Sequence, residues 1–193
     1  MNQVAAPTTS PPEALARPQV RLHGTVDDEM LRAFKEAFAA AEAGPDPVVL
    51  ELTTTGGDAD VGRRIATDIR LFRERTGRRP LFFGKAVVYS AGVTAMSGFP
   101  REDRWLSRGT CLLIHCRSLA QTVDLNGPLA QARKRVEALL NQIDVGLDLE
   151  REGFEDLIAG SRVAMDDLLE RAQSNWYVSA DEALSLGLIA GVV

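Results

Sequence analysis

Ser90 sits in "VVYSAGVTAMSG" (Val87 to Gly98), where a strand-like apolar run ends and small residues at helical spacing begin. A serine at a strand-to-helix corner is exposed, and the N–H groups of the new helix turn point at whatever its hydroxyl attacks. The plainer reading is a helix cap, a role Ser often fills. Gly56 and Gly57 end the segment "LELTTTGG". After a parallel strand, two glycines permit positive φ and leave an N–H free to face a crevice at the strand's carboxyl end. Alone, such a pair is usually a plain turn. Together, the N–H groups of Gly57 and Ala91 have the makings of an oxyanion hole. The chain has two histidines, His23 beside Gly24 and His115 at the end of "CLLIH". Either one, taken singly, is more often structural than catalytic.

Other reactive side chains fit less well. Cys111 and His115 share a strand face but stand about 13 Å apart at four residues' spacing. Cys116 faces away from His115, so neither cysteine makes a thiolate pair with it and both read as core residues. Lys85, five residues before Ser90, would suggest a Ser/Lys dyad, although an exposed lysine is the simpler expectation. Ser97 reads as an ordinary small helix residue. No cofactor or metal motif is present in the sequence.

The elements that must position these residues follow from periodicity. "PQVRLHG" alternates as a strand, and "TVDDEMLRAFKEAFAAAEAG" is a helix with Met30, Leu31, Phe34 and Phe38 on one stripe. "DPVVLELTTTGG" is a second strand. "DADVGRRIATDIRLFRERTG" is a second helix with Val61, Ile65, Ile69 and Phe72 inward. "RPLFFGKAVVYS" is a third strand, followed by the small-residue helix. "RWLSRGTCLLIHCR" holds two short strands around Arg108-Gly109. This alternation implies crossover connections and parallel strands.

A long helix follows, with Leu129, Ala132, Val136, Leu139, Leu140, Ile143 and Val145 as its apolar positions. Some 30 residues would reach about 45 Å, which suggests a projection that packs on another chain. "AMDDLLERAQ" is a further helix, "SADE" (Ser179 to Glu182) a capping box, and "GLIAGVV" a terminal strand.

Bulk properties exclude several classes. The 193 residues, 45% hydrophobic and 25% charged, suit one domain, and a net charge of −5 argues against a broad nucleic-acid face. Two cysteines make no disulfide framework or metal pattern. Residues 1–17 are rich in Pro, Thr, Ser and Ala and are expected to be a disordered tail without the pattern of a secretory signal. No apolar run approaches the roughly 20 residues needed to span a bilayer, so a cytoplasmic protein without a membrane partner is expected.

Taken in order, the glycine pair, Ser90, "LLIHCR" and "NWYVSADEALSLGLI" resemble the proteolytic subunit of Clp protease, over residues 18–193. The resemblance implies an α/β fold of the ClpP/crotonase type: a spiral of β-β-α units with a projecting handle across about residues 117–160. It implies a serine peptidase in which Ser90 is the nucleophile, His115 the general base, and the Gly57 and Ala91 N–H groups the oxyanion hole. Peptides or unfolded proteins would be the substrates and homo-oligomeric rings the assembly.

The family's third catalytic residue is an aspartate, and its place here is held by Asn175. An amide can accept the imidazole's Nδ1–H but brings no charge, and Asp-to-Asn in a serine triad costs about 10⁴-fold in turnover. Asp181 is a nearby carboxylate and the candidate substitute. The family's Gln-Pro and glycine-rich segment after the histidine is replaced by "CRSLAQTVDLNG". Its axial N-terminal loops, which engage a Clp-type ATPase, have no counterpart of matching composition. The alternatives are a catalytically weak or inactive scaffold subunit, favoured by Asn175, and an acyl-CoA enzyme of the wider superfamily using the same two N–H groups.

Overall fold

The computed structural model describes residues 11–45 and 47–193. Seven strands form one sheet: β1 (Val20–His23), β2 (Val49–Thr54), β3 (Leu81–Tyr89), β4 (Arg104–Leu106), β5 (Cys111–Ile114), β6 (Trp176–Ser179) and β7 (Gly191–Val192). The path runs β1-β2-β3-β4-β7, with β5 joining β3 and β6 joining β5. Every pairing is parallel except β5 with β6. The expected α/β architecture is thus present. Both short strands around Arg108-Gly109 pair with β3 rather than with each other.

Helices α1 (Asp28–Ala43), α2 (Ala59–Thr76) and α3 (Ala91–Ser97) follow the first three strands. Their starts are chemically marked. Asp27 accepts from the Met30 N–H at 2.9 Å, and Asp58 accepts from Asp60 and Val61. The apolar stripes expected from the sequence face inward: Met30, Phe34, Phe38, Ile65, Ile69 and Phe72 are all buried. α3 lies almost backbone to backbone on α2, since a Cβ added at Gly62 would stand 2.4 Å from the Ala91 carbonyl oxygen.

β3 is bent in its middle. Leu52 of β2 pairs with Gly84, yet Thr54 pairs with Val88, so β3 holds two extra residues there. Ala86 takes φ +56° to absorb them. The first half of β3 pairs with β4 and the second with β5. This bend carries the end of β3, and Ser90 after it, alongside the end of β5.

The long helix is α4 (Leu129–Ile158), 30 residues as expected. α5 (Met165–Ala172) and α6 (Ala180–Leu186) complete the chain, and Ser179 caps α6 by accepting from the Glu182 N–H at 3.2 Å. Two expectations need adjustment. "GLIAGVV" yields only the two-residue β7, with Leu188 and Ile189 buried before it. "WYVS" forms β6, whose alternating burial was the available signal.

Residues 1–10 of the expected tail lie outside the described residues. The remainder is not a free tail: Glu13–Ala16 form a 3-10 turn, and Leu15 is buried against Val49, Leu81, Phe83 and Trp105 on the outer sheet face.

Candidate active site

A cavity of about 580 Å³ opens at the carboxyl ends of β2, β3 and β5. Gly57, Ser90, Ala91 and His115 all line it, with the C-terminal half of α4 as its far wall. Strands set these positions by register. Ser90 follows Tyr89, the partner of Leu113, and donates its N–H to the Leu113 carbonyl at 2.8 Å. His115 stands two residues beyond Leu113, one step past the place that the β3–β5 register sets beside Ser90. The β5–β6 ladder ends on Ile114 with Trp176, and one further step of that register sets His115 opposite Asn175.

Ser90 has φ +54° and ψ −115°. For a non-glycine residue this conformation costs about 1–3 kcal/mol, and it persists only where neighbours enforce it. Here the Leu113 hydrogen bond fixes the Ser90 N–H, and the Ser90 carbonyl accepts from Val93 at 2.8 Å and Thr94 at 3.2 Å. The Ser90 side chain makes no capping hydrogen bond. Of the two readings of this serine, the side-chain cap is therefore excluded: the backbone turns as at a helix start, while the hydroxyl has no hydrogen-bond partner among the described residues.

The glycine pair abuts this corner. A Cβ on Gly56 would stand 2.9 Å from the Ser90 Cβ and 3.5 Å from its Oγ. Gly57, at φ +150°, forms a parallel bridge with Val26, in which Val26 donates to Gly56 O and accepts from the Asp58 N–H. In that geometry the Gly57 N–H points away from Val26. Neither it nor the Ala91 N–H, an orphan of the first turn of α3, has a hydrogen-bond partner among the described residues.

His115 is half-buried, and its Nδ1 lies 2.7 Å from the Cys116 carbonyl oxygen. A carbonyl only accepts, so Nδ1 is the donor in this contact, and in the neutral ring that tautomer leaves the lone pair on Nε2. Asn175 is exposed, with φ +61°, and its side chain makes no hydrogen bond among the described residues. Register brings Asn175 beside His115, but Nδ1 is committed elsewhere. Asp181 is exposed on α6 and does not line the cavity.

The other reactive residues fall away from the chemistry. Lys85 pairs with Glu51 at 2.5 Å, stacks over the Phe83 ring, and lines a second cavity with Leu15 and Arg21, so no Ser/Lys dyad forms. Ser97 donates to the Thr94 carbonyl at 2.7 Å. Both cysteines are free and half-buried; burial first, and Glu150 second, push the Cys116 thiol above its ordinary range. Among the described residues no group of His, Cys, Asp and Glu could hold a metal ion.

Sequence reasoning missed the residues that tie α4 to the site. Glu150 is buried and accepts the Arg117 N–H; the Arg117 side chain reaches Asp60 at 2.5 Å on the opposite wall. Arg104, fully buried, donates to the carbonyls of Ser97, Phe99, Asp156, Leu157 and Leu188, so it joins the end of α3 to the end of α4. Burial lowers its pKa to about 10, which leaves it a cation at neutral pH. A signal for Glu150 did exist. The stripe Val136, Leu140, Ile143, Leu147, Phe154 and Leu157 steps by three and four, and Glu150 occupies the one place on it that is not apolar.

No protein-family model matches the chain, and no curated protein matches it. Among solved structures, an asparagine-to-aspartate mutant of ClpP1 from Listeria monocytogenes is similar to it. That likeness has a TM-score of 0.67 and 15% identity and covers 90% of each chain. The chain therefore has a ClpP-like fold. Among the described residues no helix is long and apolar enough to cross a membrane.

Proposed function

We propose that the chain is a cytoplasmic serine peptidase that works as a ring-forming homo-oligomer. The observation that carries this reading is Ser90: a strained corner with an uncommitted hydroxyl, packed on Gly56 and sharing one cavity with His115. Ser90 Oγ attacks a peptide carbonyl while His115 Nε2 takes its proton. The carbonyl oxygen becomes an oxyanion held by the Gly57 and Ala91 N–H groups, both unspent in the resting fold. His115 then protonates the leaving amine, and water resolves the acyl-enzyme by the same steps in reverse order. The substrate would be an extended segment of peptide or unfolded protein. Leu140, Ile143 and Leu147, exposed on α4, would pack on a second copy in the ring.

A fluorophosphonate probe tests the chemistry. Mass spectrometry should find the adduct on Ser90, absent in Ser90→Ala and slowed about 10²-fold or more in His115→Ala. An unlabelled protein would sink the reading. It would favour the scaffold subunit, for which the specific observation is Asn175, exposed and without a hydrogen bond to His115.

A further inference from the structure

We infer that the group orienting His115 is the Cys116 carbonyl, held in place by Glu150 of α4, and that Glu150 is thereby a positioning residue of the site while Asn175 is not. The inference rests on the reading of His115 as general base. A serine-type mechanism needs an acceptor on Nδ1 to fix the tautomer and the ring plane. Asn175 is in register for that task, but it is exposed and its side chain holds nothing. The acceptor present is the carbonyl of the next residue, at 2.7 Å.

A backbone carbonyl orients a ring only if its own peptide is fixed. Residues 115–128 form no strand or helix, so the sheet does not fix it. Two contacts do. The Cys116 N–H donates to the Ala172 carbonyl at 3.3 Å. Glu150 accepts the Arg117 N–H, which belongs to the same peptide group as the Cys116 carbonyl. Burial first, and the neighbouring Glu150 second, hold the Cys116 thiol above its ordinary range. Glu150 therefore grips the far side of the one peptide whose oxygen holds Nδ1–H. Its burial on the apolar stripe of α4 is costly, and the Arg117 N–H offsets part of that cost.

The consequence is a route from the helix to the base. When the root of α4 is seated, Glu150 fixes the peptide and His115 keeps Nε2 free. When it is not, the carbonyl loses its anchor and the imidazole loses its tautomer. Glu150 shares the cavity wall with Asp58 and Asp60 of α2, and with Arg63, Arg117 and Cys116. Orientation and not charge alone is the claim, so the conservative amide should preserve it.

The test reads the imidazole directly. With two histidines in the chain, a His23→Gln background leaves His115 as the sole signal in long-range ¹H–¹⁵N spectra. The wild-type site should show a protonated Nδ1 and a bare Nε2. Glu150→Ala should convert this to a mixture or to the Nε2–H form. Glu150→Gln, which keeps an oxygen for the Arg117 N–H, should retain it, and Asn175→Ala should leave it unchanged. Fluorophosphonate labelling should fall about tenfold or more in Glu150→Ala and recover in Glu150→Gln. A predominantly Nε2–H imidazole in the wild type would overturn the proposal, without need of any variant. So would a tautomer lost in Asn175→Ala and kept in Glu150→Ala. If the protein is not labelled at all, the peptidase reading fails, while the tautomer still decides the role of Glu150.

Discussion

The two ends of α4 contrast more sharply than any two elements of the molecule. Toward its start, Leu129 is 88% exposed and Leu140 53%. Toward its end, Leu157 is 1% exposed and Glu150 is buried. The first part offers apolar side chains to solvent, with nothing among the described residues to cover them. The second is fastened by polar contacts. Arg63 pairs with Glu152 at 2.7 Å, Arg70 with Asp156 at 2.6 Å, and Arg104 takes the carbonyls of Asp156 and Leu157. One helix thus does two jobs. Its tip leaves apolar side chains exposed, and its root is built into the wall of the cavity that holds Ser90 and His115.

Breaking the root should have the largest effect. Arg104→Met fills the same space but orphans five carbonyls, and should cost about 3 kcal/mol or more in a urea melt. Labelling of Ser90 should fall with it, since α3 and α4 both end on this side chain. The tip should respond in the opposite way. In the proposed oligomer, Leu129→Glu with Leu140→Glu should shift sedimentation to the monomer, while each changes the melt by about 0.5 kcal/mol or less, as exposed positions do. An oligomer that survives both charges would remove the tip as the contact.

Asn175→Asp sharpens the comparison from the other side. If the root and not Asn175 orients the base, labelling should change by about threefold or less, under 1 kcal/mol in activation free energy. A gain of two orders of magnitude would return the orienting role to position 175. The smallest effect belongs to Arg70→Ala. Its ion pair with Asp156 is partly exposed and should contribute about 0–1 kcal/mol, declining with added salt.

Much of this molecule could be read from its residues. The stripes of α1 and α2 announced their buried faces, because a helix on a sheet must hide one side. Asp27, Asp58 and Ser179 marked helix starts, because orphan N–H groups need acceptors. Ser90, Gly57, Ala91 and His115 were legible as a set, since each follows the carboxyl end of a strand. β6 was harder: four residues of alternating burial gain meaning only beside β5. The 3-10 turn at Leu15 was illegible, because one leucine in a Pro-rich stretch has no periodicity.

By itself, then, the sequence determined the order of elements, the parallel sheet, the length of α4 and the residues gathered at the cavity. Those follow from local propensity and from the hydrophobic period. Only the tertiary structure decided how they meet. It bent β3 at Ala86 so that Ser90 lies beside β5, and it left the Ser90 hydroxyl out of the helix cap. It seated Glu150 on the peptide after His115 and gave the imidazole a backbone oxygen in place of Asn175. Those outcomes depend on residues distant in the chain competing for the same hydrogen bonds, and that competition is settled only when the chain is packed.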